Sequence, residues 1–156
     1  MLSRYWIGGG LLVCCGFWCG SEVVRRWHCQ RLSLEESVQL LQQILDAIQY
    51  RRLPTNEILR ELQQCNHYSL LPLQTCHELQ SLSPPMYLSK EEASQFSYCL
   101  TSLGHQGLQD QCGQLQRYLD YFQKHTAQVR EKERAAAAIC PKIGFCVGAM
   151  AALALL

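Results

Sequence analysis

The sequence lacks the motifs that would commit it to a familiar reaction. It has no glycine-rich phosphate loop closed by Lys-Ser or Lys-Thr, so nucleotide hydrolysis is not expected. It has no Gly-x-Ser-x-Gly, which removes the hydrolase elbow. Net charge is only +1, too little for a general field that gathers nucleic acid or acidic substrate. No strand-length alternation of apolar and polar residues occurs, so no sheet is expected. The paired acids Glu35-Glu36 and Glu91-Glu92 are accounted for by helix starts, where negative charge is favoured. The five histidines, at 28, 67, 77, 105 and 125, are scattered.

Cysteine is abundant, with ten in the chain. Cys14, Cys15, Cys19, Cys140 and Cys146 fall in or beside two apolar stretches, and the others stand singly. That distribution predicts reduced, buried small side chains rather than a disulfide framework. A zinc site from Cys65, His67, Cys76 and His77 is the sharper alternative, but its spacing matches no common zinc motif. No cofactor or metal is expected.

The two apolar stretches organise the rest. Tyr5–Gly20 carries no charge, and everything after Lys142 is apolar. As a helix, the first stretch of about 16 residues spans about 24 Å. Extension through Ser21–Val24 reaches a full span, with Tyr5, Trp6, Phe17 and Trp18 as interface anchors. A cleaved signal peptide is the competing reading, but the usual small-x-small cleavage site is missing. The last stretch, Ile143–Leu156, spans only about 21 Å as a helix. It either borrows Ala135–Cys140 to cross, lies in a thinned interface, or pairs with the first. Gly16 and Gly20 form one small-xxx-small pattern and Gly144 and Gly148 another, spacing that lets helices pack closely in lipid.

Arg25, Arg26 and Arg31 follow the first stretch, and Arg130, Lys132, Arg134 and Lys142 precede the second. With both membrane-proximal clusters on the domain side, the positive-inside rule places the domain in the cytoplasm. The expected layout is an N-terminal transmembrane anchor over 1–24, a cytoplasmic helical bundle over 25–138 and a C-terminal hydrophobic membrane segment over 139–156.

Within the middle, helical periodicity is strong. Ser33-Leu34-Glu35-Glu36 has the form of a capping box, and Leu34, Val38, Leu41, Leu45 and Ile48 recur in four-three steps. Pro54 ends that helix, which begins at Ser33 or continues unbroken from the membrane segment. Thr55 is placed to cap a second helix with Ile58, Leu62 and Cys65 on one face. A third helix is predicted over 69–82, with Pro72 in its first turn. Ser89-Lys90-Glu91-Glu92 is a second capping box, opening a helix with Ala93, Phe96, Leu100 and Leu103 on one face and Gly104 at its end. The last helix carries Leu108, Cys112, Leu115, Leu119, Phe122, Thr126 and Val129, and Pro141 is expected to break it. The fold class is therefore all-α: an antiparallel helical bundle flanked by N- and C-terminal membrane segments. The stripes supply its core: Val38, Leu41, Leu45, Ile48, Ile58, Leu62, Phe96, Leu100, Leu103, Leu115, Leu119 and Phe122.

Several stretches resemble the stage III sporulation protein AB family of endospore-forming bacteria. They are the apolar segment ending at Gly20-Ser21-Glu22, then Ile48-Gln49-Tyr50 with a turn to Pro54, then Leu103-Gly104 followed by Gln111, and the tail Ile143-Gly144-Phe145 with Gly148. The chain departs at Ala47, Arg51 and Leu53, where the family usually has Glu, Gly and Thr, and at Gly107, which replaces an Asp. The resemblance implies a helical domain similar to the cytoplasmic domains of the type II secretion platform protein. It implies a non-enzymatic adaptor in the mother-cell membrane, the outer forespore membrane. Its partners would be the stage III sporulation ATPase, protein AA, and other membrane components of one channel assembly, with self-association left open and no nucleic acid. Without the resemblance, the residues alone describe a membrane-tethered helical scaffold or regulator that binds a partner protein.

Overall fold

Ser33 and Pro141 are two places where local sequence argues for a helix end and the chain passes through without stopping. The first helix, α1, runs Leu2–Asp46, and the last, α4, runs Leu108–Ala154. Between them lie α2 (Thr55–Gln64) and α3 (Lys90–Thr101). The structure, a computed structural model, describes residues 2–64, 68–104 and 107–154; the side chains of 2–10, 12, 108, 152 and 154 are outside that description. No strand occurs among the described residues. Contacts divide the chain into two compact units, Gln30–Ala127 and Met1–Cys29 with Gln128–Leu156.

The first of these is a helical bundle. From α1 it buries Leu34, Leu40, Leu41, Ile44 and Leu45. Val38 and Ile48, expected in the core, are only half-buried, and Leu40 and Ile44 take the interior places instead. The buried face is therefore broader than a two-position heptad seam, as in a globular helix. From α2 come Ile58, Leu59 and Leu62, from α3 Phe96, Cys99 and Leu100, and from α4 Leu115, Leu119 and Phe122. Leu103 closes the face after α3. Phe96 and Phe122 meet edge to face at 6.3 Å, an arrangement the ring quadrupoles favour. Cys65 lies outside the described residues.

Ser33 is not a cap. The residues before it are already helical, so no unpaired amides are left there for its hydroxyl to accept from. Its Oγ is fully buried without a hydrogen-bond partner, and Ser37 Oγ donates back to the Ser33 carbonyl at 2.8 Å. Glu36 faces elsewhere: its carboxylate accepts from the backbone amides of Ser69 and Leu70 at 3.1 and 3.0 Å. α1 ends through a π-helical turn, Ala47–Arg51, and Arg52 adopts the left-handed region at φ 49°. Pro54 rather than Thr55 stands at the N-cap of α2, since its carbonyl accepts from Glu57 and Ile58.

The helix expected over 69–82 is absent. That stretch forms two single 3-10 turns, Leu73–Thr75 and Leu79–Ser81, joined by extended backbone at Cys76 and Glu78. Side chains from the neighbouring helices take its backbone groups in place of a helical ladder. Gln63 donates to the carbonyls of Leu73 and Cys76, and Glu36 accepts from Ser69 and Leu70. Its leucines still face inward, with Leu71, Leu73, Leu79 and Leu82 all buried.

The second box does cap. Glu92 N–H donates to Ser89 Oγ at 3.2 Å, and Ser89 N–H donates to Glu92 Oε2 at 2.8 Å. Glu92 is also buried, and two further groups reach it: Gln30 Nε2 at 3.3 Å and His125 Nδ1 at 3.4 Å. One carboxylate thus joins α1, α3 and α4 within the bundle. Ser89→Ala is expected to lower stability by about 0.5–2 kcal/mol. Ser33→Ala, which removes a buried hydroxyl with no partner, should be neutral or stabilising. Urea denaturation of the two variants side by side checks the contrast. Gly104 follows α3 at φ +91°, a region where a side chain is strained.

Burial pushes the Cys99 thiol up from 9.0 to about 12, because desolvation disfavours the thiolate. The folded state therefore binds that proton more tightly than the unfolded chain. The resulting stabilisation is present in full below about pH 9 and is lost as pH rises from there towards about 12. Iodoacetamide at about pH 8 is expected to spare Cys99 in the folded protein while modifying the part-exposed Cys76 and Cys112. Peptide mapping by mass spectrometry reads the result.

Candidate functional site: a glycine seam below a cationic collar

In the unit made of Met1–Cys29 and Gln128–Leu156, two helical stretches run antiparallel with their backbones in contact. A Cβ built on Gly16 would strike the Gly144 carbonyl oxygen and lie 3.4 Å from Gly148 Cα. A Cβ on Gly144 would strike the Gly16 carbonyl oxygen. One on Gly20 would stand 2.6 Å from the Cys140 oxygen and 3.3 Å from Pro141 Cα. The obstacles are all backbone, so a side chain at these positions has nothing flexible to push aside. Gly20 and Gly148 are themselves buried.

Spacing within each helix would set Gly16/Gly20 pair on pair against Gly144/Gly148. Gly16 packs on Gly144 and Gly148, while Gly20 packs chiefly on Cys140 and Pro141, with its nitrogen 3.6 Å from a Cβ built on Gly144. The antiparallel register decides this, because moving four residues forward on α1 moves four back on α4. It also bears on Pro141. The residue lies inside α4 rather than at a break. Proline removes one helical hydrogen bond, and it does so where the backbone of α4 approaches Gly20 closely.

The outward faces of this unit are apolar. Trp18 is 75% exposed, Leu153 73% and Met150 65%, with Phe17, Ile139, Ile143, Phe145 and Val147 also exposed. So large an exposed apolar surface marks contact with lipid or protein rather than water. Among the described residues one helix is long and apolar enough to cross a membrane, within Gln109–Ala151 at mean hydropathy 1.3. The side chains of Tyr5 and Trp6, expected as interface anchors, lie outside the described residues.

Next to the seam the surface turns polar. Arg25 grips Glu22 with two bonds of 2.9 Å. His28 Nδ1 and Glu133 Oε1 are 2.8 Å apart. The Lys132 ammonium stands 5.6 Å from the Trp27 ring centroid, in cation–π range. Arg26, Arg130 and Arg134 are exposed. Two of the basic residues expected in this group stand elsewhere. Arg31 belongs to the bundle, where it pairs with Glu35 at 2.7 Å. Lys142 lies about 12 Å beyond Arg134 along α4 and is exposed among apolar neighbours. Trp27 and His28 are not singled out by the sequence, where His28 is only one of the scattered histidines, since a single Trp and His between basic residues carry no spacing signal.

In the bundle, an open groove of about 460 Å³ is lined by Gln95, Gln114, Arg117, Tyr118 and Tyr121. Partial burial raises both phenols above their ordinary range. No nucleophile paired with a base lines it. Among the described residues no three His, Cys, Asp or Glu side chains gather as a metal set. Cys65 and His67 of the zinc alternative lie outside those residues, Cys76 is half-buried and His77 is exposed.

A family model described as stage III sporulation protein AB matches residues 5–75 and 74–156, nearly the whole chain. No curated protein and no solved structure matches the chain.

Proposed function

Because the chain belongs to the stage III sporulation protein AB family and so has a part in sporulation, we propose that it is a membrane-held helical platform. In this reading it joins a cytoplasmic ATPase, stage III sporulation protein AA, to the membrane components of a mother cell–forespore channel built like a specialised secretion machine. It is an adaptor and not an enzyme.

The observation that carries the reading is the glycine seam. Two helices held backbone to backbone, with apolar residues facing outward, form a compact membrane foot. The all-helical bundle then offers surface to a soluble partner. The basic residues that follow the foot favour the cytoplasm, hence the mother-cell side of the outer forespore membrane.

The test is capture from sporulating cells. Full-length tagged protein, solubilised from membranes, is expected to bring down the ATPase, and residues 25–138 alone should bind it more weakly in solution. Recovery of the full chain from the soluble fraction would overturn the membrane foot. Membrane recovery without the ATPase, before and after cross-linking, would overturn the adaptor role and leave a tethered scaffold with another partner.

A further inference from the structure

We propose that the cationic collar is a binding site for the headgroups of anionic phospholipids, built from both helices of the foot. The proposal rests on the membrane part of the reading above. A topological signal needs only positive charge somewhere beside an apolar segment. Here the charges are arranged. Trp27 meets Lys132 and His28 meets Glu133, which fixes the register and brings Arg26 level with Arg134. Within 22–29 and 128–134 five cations stand against three acids. Glu22 is engaged by Arg25 and Glu133 by His28, while Arg26, Arg130 and Arg134 present exposed guanidinium groups.

A guanidinium offers two parallel N–H donors to a phosphate diester, a match an ammonium does not make. Trp27 supplies the ring that prefers the boundary between headgroup and acyl chain. The location selects lipid over other phosphates. Ile139 and Val23 are exposed close to the collar, and Ile139 follows Arg134 by about 7.5 Å along the helix. An anion held by the collar therefore lies against apolar surface on one side, as a phospholipid does and a free phosphate does not. The net positive charge of the collar favours phosphatidylglycerol over phosphatidylcholine.

The full chain in neutral detergent, titrated with phosphatidylglycerol, phosphatidylcholine or inorganic phosphate, tests this. Retained lipid is counted by native mass spectrometry, and melting temperature is followed in parallel. Phosphatidylglycerol is expected to be retained and to raise the melting temperature; the other two should do neither. The triple variant R26Q/R130Q/R134Q should lose about fivefold in affinity per charge, about a hundredfold in all. R26K/R130K/R134K should fall between it and the parent. Equal retention of both lipids, an unchanged triple variant, or an equal effect of inorganic phosphate would each overturn the proposal. Flotation with pure phosphatidylcholine vesicles keeps the two readings apart. Insertion without a preference for phosphatidylglycerol sinks the collar alone, and failure to insert sinks the membrane foot and the collar with it.

Discussion

Gly144→Leu is expected to separate the two helices of the foot and to cut spore formation at least tenfold, with the bundle still folded. The first carbon of any side chain at 144 meets the Gly16 carbonyl oxygen. Backbone cannot rotate away as a lysine tip can, so one whole helix has to move. Overpacking a well-packed interface costs about 1–3 kcal/mol even where side chains can yield. In lipid no hydrophobic force draws two apolar helices back together once close packing is lost. Gly16→Leu should behave alike, and Gly144→Ala should show the same defect more mildly. Gly113→Ala on the same helix is the control. A Cβ there meets nothing within 4 Å, and the change should be neutral or stabilising. Limited proteolysis in detergent reads the foot, circular dichroism reads the bundle, and spore counts read the consequence. Normal sporulation from Gly144→Leu would reduce the seam to a packing accident.

Leu115→Asp is expected to abolish cooperative unfolding of the bundle. Leu115 is 1% exposed on the buried side of α4. An unpaired carboxylate there costs several kcal/mol, comparable with the roughly 5–15 kcal/mol that holds a domain together. Phe122→Ala leaves a cavity beside Phe96 and should cost about 3–5 kcal/mol. Gln116→Asp, one residue along and exposed, should stay within about 0.5 kcal/mol of the parent. Thermal melts of the three variants decide the matter. An unchanged melting temperature for Leu115→Asp would place the core elsewhere.

The features legible in the sequence are those settled within a few residues. Ser89 and Glu92 satisfy each other's amides, so their box reads the same alone and in the folded chain. The turn at Arg51–Pro54 is local as well, forced by proline and released through a left-handed Arg52. Ser33–Glu36 carries the same letters and comes out differently, because the residues before it were already helical. Pro141 is the parallel case: it sits inside α4 beside Gly20, a neighbour far away in sequence. The segment 69–82 has enough leucine for a helix, but Glu36 and Gln63 hold its backbone in another shape. As for the foot, the glycines were visible but their register was not. Spacing within one helix says nothing of direction in its partner, so Gly20 could not be matched to Cys140 beforehand.

The buried Glu92 also sets an order of events during synthesis. It joins Gln30 to a residue made 62 positions later. At about 5–20 residues per second on the ribosome, α1 waits about 3–12 seconds for α3 to emerge. Through that interval Leu34, Leu40, Leu41 and Ile44 lack the cover of α3 and α4, and only α2 of the bundle's other helices has been made. The segment at Ser69 and Leu70 adds to that cover, reaching Glu36 about two-thirds of the way through the wait. The nascent chain thus leaves the apolar face of α1 partly bare for seconds, and a holding chaperone would be its safeguard.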